Sequence, residues 1–169
     1  SIQGLFELSG IPFVGCDTQS SAICMDPSLT YIVAPPAGIA TPAFWVIPKD
    51  ARPVAATFTY PALVKPARSG SSFGVKKVNS ADELDYAIES ARPHDSTLSP
   101  EQAVSGCEVG CAVLGNSAAL VVGEVDQIRL QYGIFRIHQE VEPEKGSENA
   151  VITVPADLSA EERGRIQET

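Results

Sequence analysis

The chain has 169 residues, of which 44% are hydrophobic and 20% are charged, and its formal net charge is −9. This composition supports a packed core and excludes wholesale disorder, and the length suits one ordinary domain or two small ones. The negative charge argues against nucleic-acid binding by general electrostatic attraction. No run approaches the roughly 20 consecutive apolar residues that a membrane-spanning helix needs.

Taken in chain order, the first elements predict two helices and a strand. Residues 1–9 carry a helix-like apolar stripe, and residues 13–15 predict a short buried strand. Asp26 is a suitable N-cap for a second helix, with Pro27 at its first position and its end near Ala34. Residues 44–47 then predict a strand.

A lysine and a loop of small residues separate two β-like runs. Residues 60–64 lead into Lys65, the loop follows, and residues 73–78 form the second run. A cation beside accessible backbone N–H groups and hydroxyls suits phosphate binding, and Arg68 would add to this basic spot. The lysine precedes the loop, so the pattern is not a P-loop. An ordinary hairpin turn fits these residues equally well.

The second half predicts one helix and then mainly strands. Ser80 and Glu83 have the spacing of a capping box, which predicts a helix to about Ala91. Its inward-facing residues would be Leu84, Ala87 and Ile88. Residues 107–114 and 118–124 predict a hairpin closed by Gly115-Asn116-Ser117. Residues 127–149 read as a long polar loop before a strand at 150–154.

At the C-terminal end, Ser159 and Glu162 predict a capping box that opens a helix. Because this helix is still running at Thr169 and the first helix starts without a cap, we interpret the chain as an internal fragment. The cysteines lack paired C-x-x-C spacing and only two histidines accompany them, so we predict small buried apolar residues rather than a zinc site. These are Cys16, Cys24, Cys107 and Cys111.

Several separate strings resemble the D-alanine–D-alanine ligase family of ATP-grasp enzymes. They lie at residues 4–15, 65–75 and 101–108. Within that family, residues 123–128, 135–140 and 144–150 resemble the vancomycin-resistance D-alanine–D-lactate ligases. The resemblance covers essentially the whole chain.

This resemblance implies an α/β (α+β) ATP-grasp fold of antiparallel sheets with flanking helices, incomplete at both ends. It divides the chain into the tail of an N-terminal substrate domain (1–18), a central ATP-grasp domain (19–101) and the start of a C-terminal ATP-grasp domain with a lid loop (102–169). The implied activity is ATP-dependent joining of D-alanine to D-lactate through a D-alanyl phosphate, which makes a vancomycin-resistant peptidoglycan precursor. A D-alanine–D-alanine ligase, a D-alanine–D-serine ligase and an inactive nucleotide-binding remnant stay open as alternatives.

The resemblance also assigns roles on the nucleotide side. Lys65 would hold the α and β phosphates, while Ser71 and Ser72 would cover the transferred phosphate, with Ser71 also facing the substrate. Glu101 would bind the adenine amino group and Glu108 the ribose hydroxyls. The remaining residues of the adenosine-binding segment are Gln102, Ala103 and Val104. Without the resemblance, both glutamates would pass as ordinary surface residues.

In the lid loop, the resemblance points to His138 as the residue that binds the D-lactate carboxylate and, when protonated, disfavours the ammonium of a second D-alanine. Phe135 is a candidate to pack on the adenine ring, or to act as a hydrophobic latch. Judged by itself, a histidine in a charged loop is usually just solvated.

ATP and Mg²⁺ are the implied cofactors, with the Mg²⁺ ligands expected beyond Thr169, so we predict that the fragment alone is inactive. The implied substrates are D-alanine and D-lactate, with no nucleic-acid or membrane partner, and the implied whole enzyme is a cytoplasmic homodimer.

Some positions depart from the family pattern. The family has Met-Asp-Lys where this chain has Met25-Asp26-Pro27, so one phosphate-binding cation is lost. Pro35 and Pro36 replace a Lys-Asn pair, and Pro100 falls in a run leading into Glu101, where it is expected to weaken a strand.

Overall fold

The computed structural model describes residues 2–52, 57–70, 72–116, 119–130 and 150–169. Contacts divide the chain into two compact units, Ser1–Val104 and Ser105–Thr169. Across the described ranges, the chain forms five α-helices and six strands, and the strands build two three-stranded antiparallel sheets, one in each unit. The expected antiparallel sheets with flanking helices are therefore confirmed.

The first unit begins with three short helices, α1 (Ile2–Ser9), α2 (Thr18–Met25) and α3 (Pro27–Val33). Helices α1 and α3 are as predicted. The predicted cap of α3 is confirmed, because the Asp26 carboxylate accepts a hydrogen bond of 3.0 Å from the Ser28 amide.

Two predictions near the start of the chain are wrong or incomplete. Residues 13–15 do not form a buried strand, and the side chain of Val14 is 94% exposed. The sequence pattern does not predict α2, because its apolar residues do not repeat at helical spacing. What starts α2 is a polar cap: the Asp17 carboxylate accepts a 2.7 Å hydrogen bond from the Ser20 amide, and this bond lowers the pKa of Asp17.

The sheet of the first unit has β1 (Ala62–Val64) at its centre, between β2 (Lys76–Val78) and β3 (Glu101–Gln102). The segment predicted as a strand at 44–47 pairs at only two separate positions, Phe44 with Glu101 and Ile47 with Leu98. Strand β3 begins directly after Pro100, a residue that has no amide hydrogen to donate.

Helix α4 (Leu84–Ala91) packs its apolar face on this sheet, and it buries the three residues predicted to face inward together with Ala91. The predicted capping box at Ser80 and Glu83 is wrong. A 3-10 turn, Ala81–Glu83, precedes the helix and places Glu83 at the N-cap position, so its carboxylate accepts from the Asn79 amide at 2.8 Å instead. The core beneath the helix comprises Ile47, Phe58, Ala62, Val64, Val78, Leu84, Ala87, Ile88, Ala91 and Leu98.

The second unit is a hairpin of β4 (Glu108–Asn116) and β5 (Ala119–Leu130), extended by β6 (Ala150–Thr153). The hairpin lies where it was predicted, but β4 continues through Gly115 and Asn116, which were predicted in the turn and instead pair with β5. Strand β6 is as predicted. The prediction of a loop from 127 is wrong, because 127–130 continue β5 and pair with β6. Polar Gln127 is tolerated there because its side-chain oxygen accepts from the Asp157 amide at 3.2 Å. The rest of the predicted lid loop, 131–149, lies outside the described residues.

Helix α5 (Ala160–Glu168) closes the second unit, and its capping box is confirmed. The Ser159 hydroxyl accepts from the Glu162 amide at 3.2 Å, while the Glu162 carboxylate accepts from the Ser159 amide at 2.8 Å.

The interpretation of the cysteines as buried residues is wrong. Cys16, Cys24 and Cys107 are exposed, and Cys111 is half-buried, with its thiol donating to the Gly123 carbonyl at 3.4 Å. All four are free thiols.

Within the described ranges, no helix combines the length and the apolar character that crossing a bilayer requires.

Candidate nucleotide site

The residues expected at the two ends of a bound nucleotide lie side by side in the first unit. Lys65 directly follows β1, and Glu101 opens the neighbouring antiparallel strand β3. Their side chains form an ion pair of 2.6 Å between Nζ and Oε2, with 25% and 14% of each side chain exposed. The sheet register therefore brings together a phosphate-type cation and a carboxylate.

Tyr31, on α3, joins this pair. Its hydroxyl donates to Glu101 Oε2, the same oxygen that Lys65 contacts, and its ring packs on Phe44 with ring centroids 4.5 Å apart. Burial, the hydrogen bond and the negative charge of Glu101 all raise the pKa of Tyr31, so the hydroxyl remains a donor at neutral pH.

The loop after Lys65 is anchored at its base by a carboxylate. Asp95 accepts from the Arg68 amide at 2.9 Å, from Nε at 3.2 Å and from a terminal guanidinium nitrogen at 2.9 Å, and also from the Thr97 amide at 3.0 Å. The hydrogen bond from Arg68 holds the pKa of Asp95 well below its usual range. Arg68 is thus committed to Asp95, which corrects the expectation that it supplies a phosphate-binding charge beside Lys65.

The far side of the loop depends on backbone conformations that favour glycine. Ser72 has φ +57°, a left-handed conformation that is uncommon for residues other than glycine. Gly74 has φ +72°, and a Cβ there would lie 2.6 Å from the His94 ring and 3.0 Å from Pro66. Ser71, the other predicted phosphate-covering residue, lies outside the described residues.

The adenosine-binding segment predicted at 101–104 runs along the edge of the same sheet. The Gln102 amide donates to the Ala43 carbonyl at 2.8 Å, and the Ala103 amide donates to the Pro61 carbonyl at 2.9 Å. These bonds fix the backbone of the segment on two sides. Val104, at the end of this segment, is 75% exposed.

Glu108 belongs to the second unit and opens β4, directly opposite Ile128 of β5. Its side chain is exposed and borders a cavity of that unit. This cavity is lined by Gly106, Cys107, Glu108, Ile128, Arg129 and Leu130. The remaining predicted site residues, Phe135 and His138, lie outside the described residues.

The first unit is chemically compatible with a nucleotide, because the ammonium of Lys65, which is partly exposed and paired with Glu101, directly precedes a loop rich in small residues. In the part of the chain that the structure describes, no three His, Cys, Asp or Glu side chains lie close enough together to hold a metal ion.

Sequence reasoning missed Tyr31 and Asp95. Tyr31 stands four residues after Pro27, so both occupy one face of α3. This spacing from a position where the family pattern has a phosphate-binding lysine could have identified Tyr31 as a candidate. Asp95 is 27 residues from Arg68, and no local pattern links the two.

Comparison with known proteins gives a consistent answer along the chain. A sequence profile described as the D-ala D-ala ligase C-terminus matches residues 33–169. Over its full length, the chain is 92% identical to the vancomycin/teicoplanin A-type resistance protein VanA of Enterococcus faecium and 69% identical to the vancomycin B-type resistance protein VanB of Enterococcus faecalis. It is 60% identical over 167 residues to a putative D-alanine–D-lactate ligase of Streptomyces coelicolor, covering 99% of this chain and 48% of that protein.

The crystal structure of the VanG D-Ala:D-Ser ligase from Enterococcus faecalis has the same fold, with a TM-score of 0.83 and 44% identity. The alignment covers 99% of this chain and 49% of the VanG chain. The chain likewise spans 49% of VanA and of VanB, about half the length of these relatives. The expected ATP-grasp fold is confirmed, and the chain belongs to the family of D-alanine–D-alanine ligase C-terminal regions.

Proposed function

We propose that the protein is an ATP-dependent ligase that joins D-alanine to D-lactate and makes a vancomycin-resistant peptidoglycan precursor. The observation that carries the proposal is the 92% identity to VanA along the whole chain, and a relative at 60% identity bears the name of a D-alanine–D-lactate ligase. In the proposed reaction, the γ-phosphoryl group of ATP moves to the carboxylate of D-alanine. The D-lactate hydroxyl then attacks the carbonyl carbon, loses its proton and displaces phosphate.

On the phosphate side, Lys65 is the proposed cation for the α and β phosphates. Its position one residue before an anchored loop supports this role, because charge neutralisation and positioning dominate phosphoryl transfer. Ser72 is the proposed loop residue over the transferred phosphate, and its left-handed backbone supports this role because strained conformations cluster at functional sites. Ser71 shares that proposed role and also faces the substrate.

On the adenosine side, Glu101 is the proposed acceptor for the adenine amino group, and Glu108 the proposed partner of the ribose hydroxyls. Support for Glu101 comes from its low exposure, since a carboxylate that is 14% exposed must be compensated by fixed partners. Gln102, Ala103 and Val104 complete the proposed adenosine contact, with Phe135 packing on the ring.

The acceptor side depends on His138, which we propose binds the D-lactate carboxylate. A protonated imidazole attracts that carboxylate and repels the ammonium of a second D-alanine. Replacing it in the full-length protein, as His138→Ala, is expected to remove the preference for D-lactate. An unchanged preference would contradict the role.

Pro27, which replaces the lysine of the family pattern, is expected to lower the affinity for ATP. A lost charge-assisted contact costs about 1.5–3 kcal/mol, which corresponds to about a ten- to hundredfold weaker binding of ATP. Helix α3 keeps its Asp26 cap in either case, so Pro27→Lys is expected to tighten ATP binding by about that factor without changing the fold. Calorimetric titration of the full-length protein measures this, and equal affinities would show that residue 27 does not reach the phosphates.

Mg²⁺ is part of the proposed reaction, although no three His, Cys, Asp or Glu side chains of the described residues lie close enough together to hold an ion. The dimer and the cytoplasmic location are proposed with the function, as is the division of the chain at residues 18 and 101.

Incubation of the full-length protein with ATP, D-alanine and one acceptor at a time tests the proposal, with the product identified by mass. The expected product is D-alanyl-D-lactate, formed in preference to D-alanyl-D-alanine and D-alanyl-D-serine. A dipeptide as the main product would favour one of the alternative ligases. No product with any acceptor would favour an inactive remnant.

A further inference from the structure

One oxygen of Glu101 serves two donors in the first unit. Lys65 Nζ lies 2.6 Å from Oε2, and the Tyr31 hydroxyl donates to the same atom.

The two donors differ in what they can do when a nucleotide arrives. Lys65 has a flexible stem and a mobile charge, and its side chain is 25% exposed, so it can turn towards a phosphate. Tyr31 cannot follow, because its ring packs on Phe44 with centroids 4.5 Å apart. If Lys65 leaves, Tyr31 is the donor that stays on Glu101.

A carboxylate that is 14% exposed is costly to leave without a partner, since burial penalises an uncompensated charge. The Tyr31 hydroxyl removes part of that cost at the moment when Lys65 departs. It also holds one oxygen of the carboxylate in place, which leaves Oε1 to accept a hydrogen bond from an amino group.

We propose that Tyr31 is a nucleotide-positioning residue, whose hydroxyl holds Glu101 while Lys65 moves from that carboxylate to the phosphates of ATP. The inference rests on the proposed function, because it takes Lys65 and Glu101 as nucleotide ligands.

The position of Tyr31 in the chain is consistent with this role. It lies four residues after Pro27, the position where the family pattern has a phosphate-binding lysine, and the two positions share one face of α3. In this chain, the group that this face of α3 brings to the site is the uncharged hydroxyl of Tyr31. Tyr31 therefore acts on the nucleotide through Glu101 and not by direct contact with the phosphates.

The test is to compare Tyr31→Phe with the unmodified full-length protein, measuring the Kd for ATP by calorimetry and the steady-state kcat and KM. The variant keeps the ring on Phe44 and removes only the hydroxyl. We expect about a tenfold increase in Kd and KM for ATP, with kcat and the KM for D-alanine unchanged. Tyr86→Phe is the matched control, because Tyr86 is 72% exposed and lies on α4; it is expected to change none of these values.

A double-mutant cycle shows whether Tyr31 acts through Glu101. In a Glu101→Gln background, Tyr31→Phe is expected to weaken ATP binding by less than twofold. Phe44→Leu, which disturbs the packing but keeps the hydroxyl, is expected to have a smaller effect than Tyr31→Phe.

The outcomes separate the inference from the function on which it rests. Unchanged ATP affinity in Tyr31→Phe, or an equal loss in the Glu101→Gln background, overturns the inference while an active unmodified protein leaves the function standing. An unmodified protein that neither binds ATP nor forms product overturns both.

Discussion

The two units of the chain hold their candidate functional side chains in different surroundings. In the first unit, ten buried apolar residues form a core, and Lys65 and Glu101 each follow directly on a buried residue, Val64 and Pro100. In the second unit, the described apolar residues of the hairpin are largely exposed: Leu114 is 66% and Val121 is 66% exposed. The Lys65–Glu101 pair is thus positioned by strand pairing over a buried core, whereas Glu108 is positioned by strand pairing on a largely exposed hairpin.

This difference in burial determines how firmly a side chain is held in each unit. Burial restricts a side chain from several directions, so a buried frame can hold a charged pair at a defined distance. A hairpin with exposed faces fixes its register mainly through hydrogen bonds and leaves its side chains freer. Substitutions at matched positions in the two units should therefore have unequal consequences.

The largest expected effect comes from comparing a leucine-to-alanine substitution in each of the two units. Leu98 is fully buried, so Leu98→Ala is expected to cost about 3 kcal/mol in the free energy of unfolding. Leu114→Ala, at an exposed position, is expected to cost less than about 0.5 kcal/mol. Urea unfolding of the 169-residue chain measures both, and equal losses would contradict the comparison.

An intermediate effect is expected from two Asp–Arg pairs. Asp95, with 8% of its side chain exposed, is held by Arg68 at 2.9 Å, whereas Asp157 is 78% exposed and 2.8 Å from Arg129. Asp95→Asn is expected to cost about 1–3 kcal/mol near neutral pH. Asp157→Asn is expected to cost at most about 1 kcal/mol.

The Asp95 pair also has a signature in pH. Because folding lowers the pKa of Asp95, its stabilisation is fully present above the ordinary value of 3.8 and is lost as the pH falls through the lower folded value. Unfolding followed from pH 7 down to pH 2 should show a shallower loss below about pH 4 in Asp95→Asn than in the unmodified chain. Identical slopes would show that Asp95 is not held as described.

The smallest effects are expected from two serines, and they differ in sign. Within the described ranges, the hydroxyl of Ser99 is buried without a hydrogen-bond partner, so Ser99→Ala is expected to stabilise the chain by about 1 kcal/mol. Ser159 caps α5, so Ser159→Ala is expected to destabilise it by about 1 kcal/mol. Thermal unfolding measures both, and a loss of stability in Ser99→Ala would contradict the first expectation.

The sequence predicted features that depend on neighbours in the chain. The caps of α3 and α5, the inward face of α4 and the hairpin of the second unit all follow from spacings of a few residues. The failures have two physical sources. At Glu83 an unforeseen 3-10 turn shifted the cap by a few positions, and at Gln127 a satisfied polar side chain concealed a strand.

The same distinction between local and long-range features applies to the candidate site. The resemblance named Lys65 and Glu101, and sheet pairing brought them together. The Arg68–Asp95 contact joins residues far apart in the chain, and only the fold reveals it. Charge counting by itself therefore overestimates the basic character of the loop.

We propose above that the first unit holds a nucleotide phosphate site built on Lys65. The most direct measurement is calorimetric titration of the full-length protein and its Lys65→Met variant with ATP and, separately, with adenosine. The Lys65→Met variant is expected to bind ATP at least about tenfold more weakly, because a charge-assisted contact is lost, and to bind adenosine with little change. Equal ATP affinity in the two proteins would contradict it, and an equal loss for both ligands would show that Lys65 supports the fold and not the phosphates.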